Sequence, residues 1–367
     1  PIVNIDTPLL LLMFVVFLTQ PAYNFWLARQ RYEYKYKATL LFSVVNALVS
    51  PTIAIICIMV FKNNRLYARL FGAEGALILI YIGFYVYQWR KSKHQIKIEY
   101  WKYALAFNAT LIPHYLSTYL LGSSDKIMIQ NLVSDSAAAY YSVAHSVAAV
   151  VTIIWSAANA SLIPFTYESC EKKNYEAISR VTQPILSVFA VACVFIILLA
   201  PEIVAIMATE DYWEAIYVIP PIIGGVFFQV QYFMYANVLY YLKKPKYVMV
   251  GSVTATVLNI VLNYIFISHY GYIAAGYTTI VCYLIQAAID YFAMRRAVGQ
   301  SIYNMRYVGM LSAGLVLIAV FSNLTYGYSW MRYIAAVGIV IIGVVLRKRI
   351  IGMFTTIKKK KVETDET

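Results

Sequence analysis

Eleven long apolar stretches run through this chain, at 7–27, 38–61, 73–89, 103–121, 137–165, 181–207, 213–242, 247–268, 272–294, 307–323 and 328–346. A hydrocarbon core about 30 Å thick needs roughly 20 apolar helical residues to cross it. Each stretch is read as a membrane-spanning helix, and the fold class as an all-α polytopic membrane protein. The runs are apolar all round rather than striped, which is what lipid or a large bundle interior selects. They are also two to three times too long for the strands of a membrane barrel. Composition agrees: 61% of the residues are hydrophobic and 13% charged, against about 25% charged in soluble domains. So little charge cannot cover a soluble surface, which excludes a soluble enzyme, a disordered chain and a secreted disulfide scaffold.

The net charge of +13 suggests an anionic partner until the cations are placed. Of the 30 Lys and Arg residues, 25 fall in alternate loops and the C-terminal tail: at 29–37, 90–102, 172–180, 243–246, 295–306 and 347–361. The intervening loops hold Lys62, Arg65 and Arg69, while Lys126 and Arg332 lie near helix ends. Basic loops stay in the cytoplasm. The positive charge therefore records orientation, with the C-terminus cytoplasmic, and nucleic acid is not expected as a partner. Tyr23, Tyr212, Tyr217, Tyr272 and Tyr328, with Trp26, Trp89, Trp101, Trp213 and Trp330, bracket the span ends as an interfacial aromatic belt. This topology places Pro1 on the far side with no cleavable signal before the first span. An odd number of further spans upstream is expected.

Chemistry-bearing motifs are sparse. Cys57, Cys193 and Cys282 fall inside spans and Cys170 in a cytoplasmic loop; neither a disulfide framework nor a metal-ligand spacing is present. No nucleophile triad, phosphate-binding glycine loop or zinc signature occurs, and no cofactor is expected. Outer loops are short, and the largest soluble segments are 90–102, 166–180 and the tail. A helical bundle with so little extramembrane machinery has the profile of a transporter.

Polar residues inside spans are then the candidates. Counting roughly 1.5 Å per residue from the nearer interface puts His114, His145 and Asn259 close to the midplane. Gln229 and Gln231 fall in the inner half of a long span, Asn237 nearer its inner end, Asn263 in an outer half and Gln286 in an inner half. Pro113 opens a kink beside His114. The plain alternative for each amide is an interhelical hydrogen bond of about 1 kcal/mol. By the same count the adjacent Asp125-Lys126 pair sits at the outer rim, as a gate or a charge at a cavity mouth, and Glu202 and Asp290 are also rim-like.

Asp125-Lys126-Ile127-Met128-Ile129, then Tyr141-Ser142-Val143-Ala144, Trp155-Ser156-Ala157-Ala158-Asn159, Leu162-Ile163-Pro164 and Tyr167-Glu168, resemble the polysaccharide-transporter family of oligosaccharide flippases. Asn259-Ile260-Val261-Leu262-Asn263-Tyr264, with Tyr270-Gly271 and Ala274-Ala275-Gly276, is similar to a helix and turn of the wider superfamily, which includes multidrug exporters and peptidoglycan-precursor flippases. The resemblance runs from about Tyr23 to Ala297. Ser134 and Ala139 stand where the family usually has glycine; both are small, so close helix approach survives.

The resemblance implies a MATE-like two-bundle architecture of twelve to fourteen spans, so three upstream helices are expected. It divides the chain into the rest of an N-terminal bundle (1–102), joining helices (103–180), a C-terminal bundle (181–346) and a basic tail (347–367). It also implies alternating access in the bacterial inner membrane. The cargo would be a polyprenyl-pyrophosphate-linked oligosaccharide, and the pathway's glycan polymerase and glycosyltransferases its partners. Lys126, His114 and His145 would meet the pyrophosphate, and Asn159, Gln229, Gln231 and Asn259 the sugar hydroxyls. Two alternatives stay open. A multidrug or small-molecule exporter wants a buried acid at midplane depth, and none is expected between 38 and 346. A membrane-embedded polymerase or acyltransferase wants acid–base pairs, which the short outer loops do not favour.

Overall fold

The computed structural model describes residues 6–92 and 97–341, every described element is helical, and no strand occurs among the described residues. The helices are α1 (Thr7–Tyr32), α2 (Tyr36–Val60), α3 (Arg65–Lys91), α4 (Ile98–Leu132), α5 (Asp135–Glu171), α6 (Tyr175–Leu198), α7 (Ala200–Met207), α8 (Ile219–Tyr241), α9 (Pro245–Tyr270), α10 (Ile273–Val298) and α11 (Met305–Phe321). A last helix, α12, covers Ser329–Ile341. They form two compact units, Pro1–Trp101 and Lys102–Thr367.

In the first unit α3 packs on both α1 and α2. Its core is aromatic: Tyr23 and Trp26 of α1 meet Phe84 of α3 at ring-centroid distances of 5.2 and 4.7 Å, and Phe42 of α2 closes on Phe84 at 5.0 Å. Such pairs add about 0.5–1.5 kcal/mol each beyond burial, which matters where most of the surface faces lipid and gains nothing from leaving water.

The second unit is built on α8, whose residues are nearly all buried. α10 lies along it and α5, α6 and α11 surround it. Close approach of α8 and α10 depends on Gly276: a Cβ there would stand 2.7 Å from Pro221 Cγ. Small residues at helix crossings are what membrane packing selects, since dispersion contacts replace the hydrophobic drive.

Nine helices among the described residues are long and apolar enough to cross a membrane. Ten of the eleven expected spans fall on these helices or on α4; the eleventh, 328–346, is described only as α12, and 342–346 and the tail 347–367 lie outside the described residues. α4 is one continuous helix from Ile98 to Leu132. It is less apolar than the nine because Lys102, Asn108, His114, Asp125, Lys126 and Gln130 interrupt it. The expected cytoplasmic loop at 166–180 is corrected to a tight turn at Lys172–Asn174. Charge there is carried on protruding helix, where Glu168–Lys172 and Glu176–Arg180 pair one turn apart and Asn174 accepts from the Ala177 amide at 3.2 Å as an N-cap.

Two local devices complete the fold. Three basic-side turns place a non-glycine residue in the left-handed region, Tyr34, Lys173 and Lys243. In each, the following amide reaches back five residues, as from Asn174 to the Ser169 carbonyl at 2.8 Å and from Lys244 to Leu239 at 2.9 Å, which satisfies helix-end carbonyls. The second device repairs the break between α6 and α7, where Pro201 interrupts an expected single span. The freed carbonyls of Ile197 and Leu198 accept from Tyr326 Oη and Arg332 Nη1, both at 2.8 Å. Arg332 also pairs with Glu202 at 2.7 Å, so Glu202 is tied rather than free at a rim.

Candidate functional site

α9 carries Asn259 and Asn263 four residues apart, which puts both amides on one helix face. That face meets α4 through a ladder of polar contacts. Thr256 Oγ1 donates to the Ser117 carbonyl at 2.8 Å, Ser124 Oγ donates to Asn259 Oδ1 at 3.2 Å, and Asn263 Nδ2 donates to Asp125 Oδ1 at 2.6 Å. The other carboxylate oxygen of Asp125 accepts from Tyr141 Oη of α5 at 2.5 Å and Thr279 Oγ1 of α10 at 3.1 Å. Asn259 Nδ2 reaches Thr279 Oγ1 at 3.4 Å, Asn263 Nδ2 reaches Asn259 Oδ1 at 3.1 Å, and Thr278 donates to Asn263 Oδ1. One carboxylate thus gathers donors from three other helices. Hydrogen bonds to a charged partner contribute about 1.5–3 kcal/mol, and a donor left bare here forfeits a comparable amount.

Asp125, expected at the outer rim, is enclosed by neighbouring helices: it is 2% exposed. Asp125 lies seven residues from the end of α4 and Asn263 seven from the end of α9, while Tyr141 and Thr279 each lie six from the start of their helices. All four therefore sit roughly 9–10 Å inside their helix ends at 1.5 Å per residue. Asp125 and Lys126 form no ion pair with each other among the described residues. Lys126 follows Asp125 on α4, and His145 lies one turn beyond Tyr141 on α5.

The other expected residues are dispersed. His114 is buried on α4, three turns from Asp125, and its Nδ1 has no hydrogen-bond partner among the described residues. Asn159 accepts from Asn237 at 2.8 Å, Gln229 donates to Tyr283 at 3.2 Å, and buried Gln231 donates to Ser312 at 2.8 Å. Asn259 is fully buried. Two residues that complete the cluster were not singled out as candidates: Tyr141 and Thr279. Tyr141 stood inside a motif already noted, Asn263 was a candidate without an assigned role, and Thr278-Thr279 had no signal beyond two hydroxyls in an apolar run. A separate groove of about 480 Å³ in the first unit is lined by Trp26, Tyr85, Trp89, Arg29 and Lys91 among others, and contains none of the expected site residues.

Asp290, expected at a rim, is also enclosed: it is 0% exposed. With Asp125 it is a buried acid between 38 and 346.

Fold and site together define a multi-span helical membrane protein with a polar, four-helix seam inside its bundle. The family model described as Polysaccharide biosynthesis protein matches residues 1–169, and the MatE model matches residues 111–265. Protein 1 of the Lsg locus of Haemophilus influenzae is 24% identical over 191 residues, 50% of this chain and 47% of that protein; the match thus spans about half the relative's length. The solved structure of the lipid II flippase MurJ in an inward closed conformation superposes with a TM-score of 0.55 at 14% identity, covering 92% of this chain and 74% of that one. The chain therefore has the MurJ-like multi-span fold. These matches support a place in the superfamily that joins polysaccharide and lipid-linked flippases to multidrug exporters.

Proposed function

We propose that the protein is a lipid-linked glycan flippase, a transporter rather than an enzyme, moving polyprenyl-pyrophosphate-linked oligosaccharides across the bacterial inner membrane for O-antigen, capsule or exopolysaccharide assembly. The observation that carries this reading is the polysaccharide-biosynthesis match, which runs through α4 and α5 and so includes Lys126 and His145. A pyrophosphate entering a low-dielectric bundle needs cationic donors, and these two side chains are its candidates on α4 and α5. His114 is a third donor on α4. Asn159, Gln229, Gln231 and Asn259 act on the glycan side by exchanging their present hydrogen-bond partners for sugar hydroxyls. Transport is by alternating access, in which the Asp125 cluster joins α4 and α5 to α9 and α10 in one state and releases them in another. The C-terminal tail is cytoplasmic, and the pathway's polymerase and glycosyltransferases are the working partners.

The test is transfer of a polyprenyl-pyrophosphate oligosaccharide, fluorescently labelled on its glycan, across vesicles holding the full-length protein. Protein-dependent transfer is expected, falling about tenfold or more in Lys126→Ala, the equivalent of 1.4 kcal/mol or more. Absence of transfer from well-folded protein would sink the reading. The MatE match over 111–265 and the two buried acids favour one second reading, a small-molecule exporter. That reading expects dye efflux from cells making the protein, with no glycan transfer in vesicles.

A further inference from the structure

The seam between α9 and α10 holds a carboxyl group in each half, and the two have opposite surroundings. Toward the outer ends, Asp125 of α4 enters the seam and accepts three hydrogen bonds. Toward the inner ends, eleven residues beyond Thr279 on α10 and so roughly 16 Å away, stands Asp290. It is fully buried, and among the described residues neither Oδ1 nor Oδ2 has a hydrogen-bond partner. Gln286, one turn earlier on the same helix face, is 1% exposed and its Nε2 is likewise without a partner.

Across the seam α9 presents Gly251, where a Cβ would fall 2.8 Å from Asp290 Oδ1 and 3.6 Å from Gln286 Cγ. The backbone of α9 thus closes directly over the carboxyl group. The titratable neighbours are phenols: Tyr232 and Tyr240 of α8 lie within electrostatic reach of Asp290, and Tyr115 of α4 lies within reach of both phenols. The charged residues nearest in sequence, Arg295 and Arg296 on α10 and Lys246 on α9, are exposed. No ion pair to Asp290 forms among the described residues.

Isolating an ionised carboxylate from water, donors and cations is prohibitive, and such a group takes a proton instead. We propose that Asp290 is an exchangeable proton-binding site: it holds a proton while α9 is closed over it at Gly251, and gives that proton to water when the inner halves of α9 and α10 part. In the release step the carboxyl O–H bond breaks, the proton leaves on an entering water molecule as hydronium, and further entering water molecules solvate the carboxylate left behind. This inference does not depend on which cargo the protein carries.

Infrared spectroscopy of the full-length protein reads the proton directly, through the carbonyl stretch of a protonated aspartyl group. At neutral pH the band is expected in the unaltered protein, absent from Asp290→Asn and retained in Asp125→Asn. Gly251→Ala puts a methyl group where Asp290 Oδ1 now rests, so the carboxyl group must turn out of its seat against α9; its proton affinity is then expected to shift about tenfold or more, one pH unit or more at the midpoint. Should Asp290→Asn fail to fold, 13C-aspartate labelling of the unaltered chain and of Asp125→Asn identifies the band by its isotope shift. No protonated aspartyl band at neutral pH, or a band that survives in Asp290→Asn, overturns the site; an unmoved midpoint in Gly251→Ala overturns the seam as its gate.

Discussion

Asp125 shows how much of the bundle can hang on one side chain. Its three donors come from three other helices, so its removal strips partners from α5, α9 and α10 at once. Asp125→Ala is expected to lower stability by about 3 kcal/mol or more in detergent unfolding, because each bare buried donor forfeits about 1–3 kcal/mol. Combined with Asn263→Ala in a double-mutant cycle, the coupling should be about 1–2 kcal/mol; a value near zero would mean that the two side chains do not depend on each other. Lys173 predicts the opposite sign. It sits at φ 53° in the turn after α5, a conformation that penalises a Cβ. Lys173→Gly should therefore stabilise the protein by about 0.5–1 kcal/mol, measured as a raised unfolding midpoint.

Among the elements, the contact of α8 with α10 is the most exacting. The pyrrolidine ring of Pro221 cannot withdraw from a methyl group added at Gly276. Gly276→Ala is expected to destabilise by about 1–3 kcal/mol, the range for overpacking a filled interior; unchanged thermal stability would show that the two helices separate more freely than their packing suggests. Element identity was legible before the structure, since runs of this length admit little but helix. Their ends were less so. The turn at Lys172–Asn174 is far shorter than the charged stretch implied, because charge marks exposure to water and not the end of a helix. The single expected span at 181–207 became α6 and α7 because Pro201 removes a donor, and the carbonyls this frees are held by Tyr326 and Arg332 from more than 125 residues away in sequence. No local signal encodes such a partner.

For the whole molecule, orientation is the property to test. Cysteine placed at Asp211, exposed in the 3-10 helix Glu210–Tyr217 after α7, should react with a membrane-impermeant thiol reagent added outside intact cells. Cysteine at Lys173 should react only after permeabilisation. The native Cys170, Cys193 and Cys282 are buried and add little background. Labelling of Lys173→Cys from outside would reverse the assigned topology and, with it, the direction of any transport.

Helical class and the placing of most spans could be read from residue order because both are solvent properties: lipid tolerates only long apolar helices with their backbone bonds closed internally. The superfamily was legible for a related reason, since its motifs are the polar residues that such helices admit only where neighbouring helices require them. The partners of those residues were not legible. Counting along one helix put Asp125 and Asp290 at rims, because depth depends on where each helix ends and on what lies beside it. Both acids are buried by helices distant in the chain. One is saturated with donors and the other is enclosed without any, and that difference arises only when α4, α5, α8, α9 and α10 are brought together.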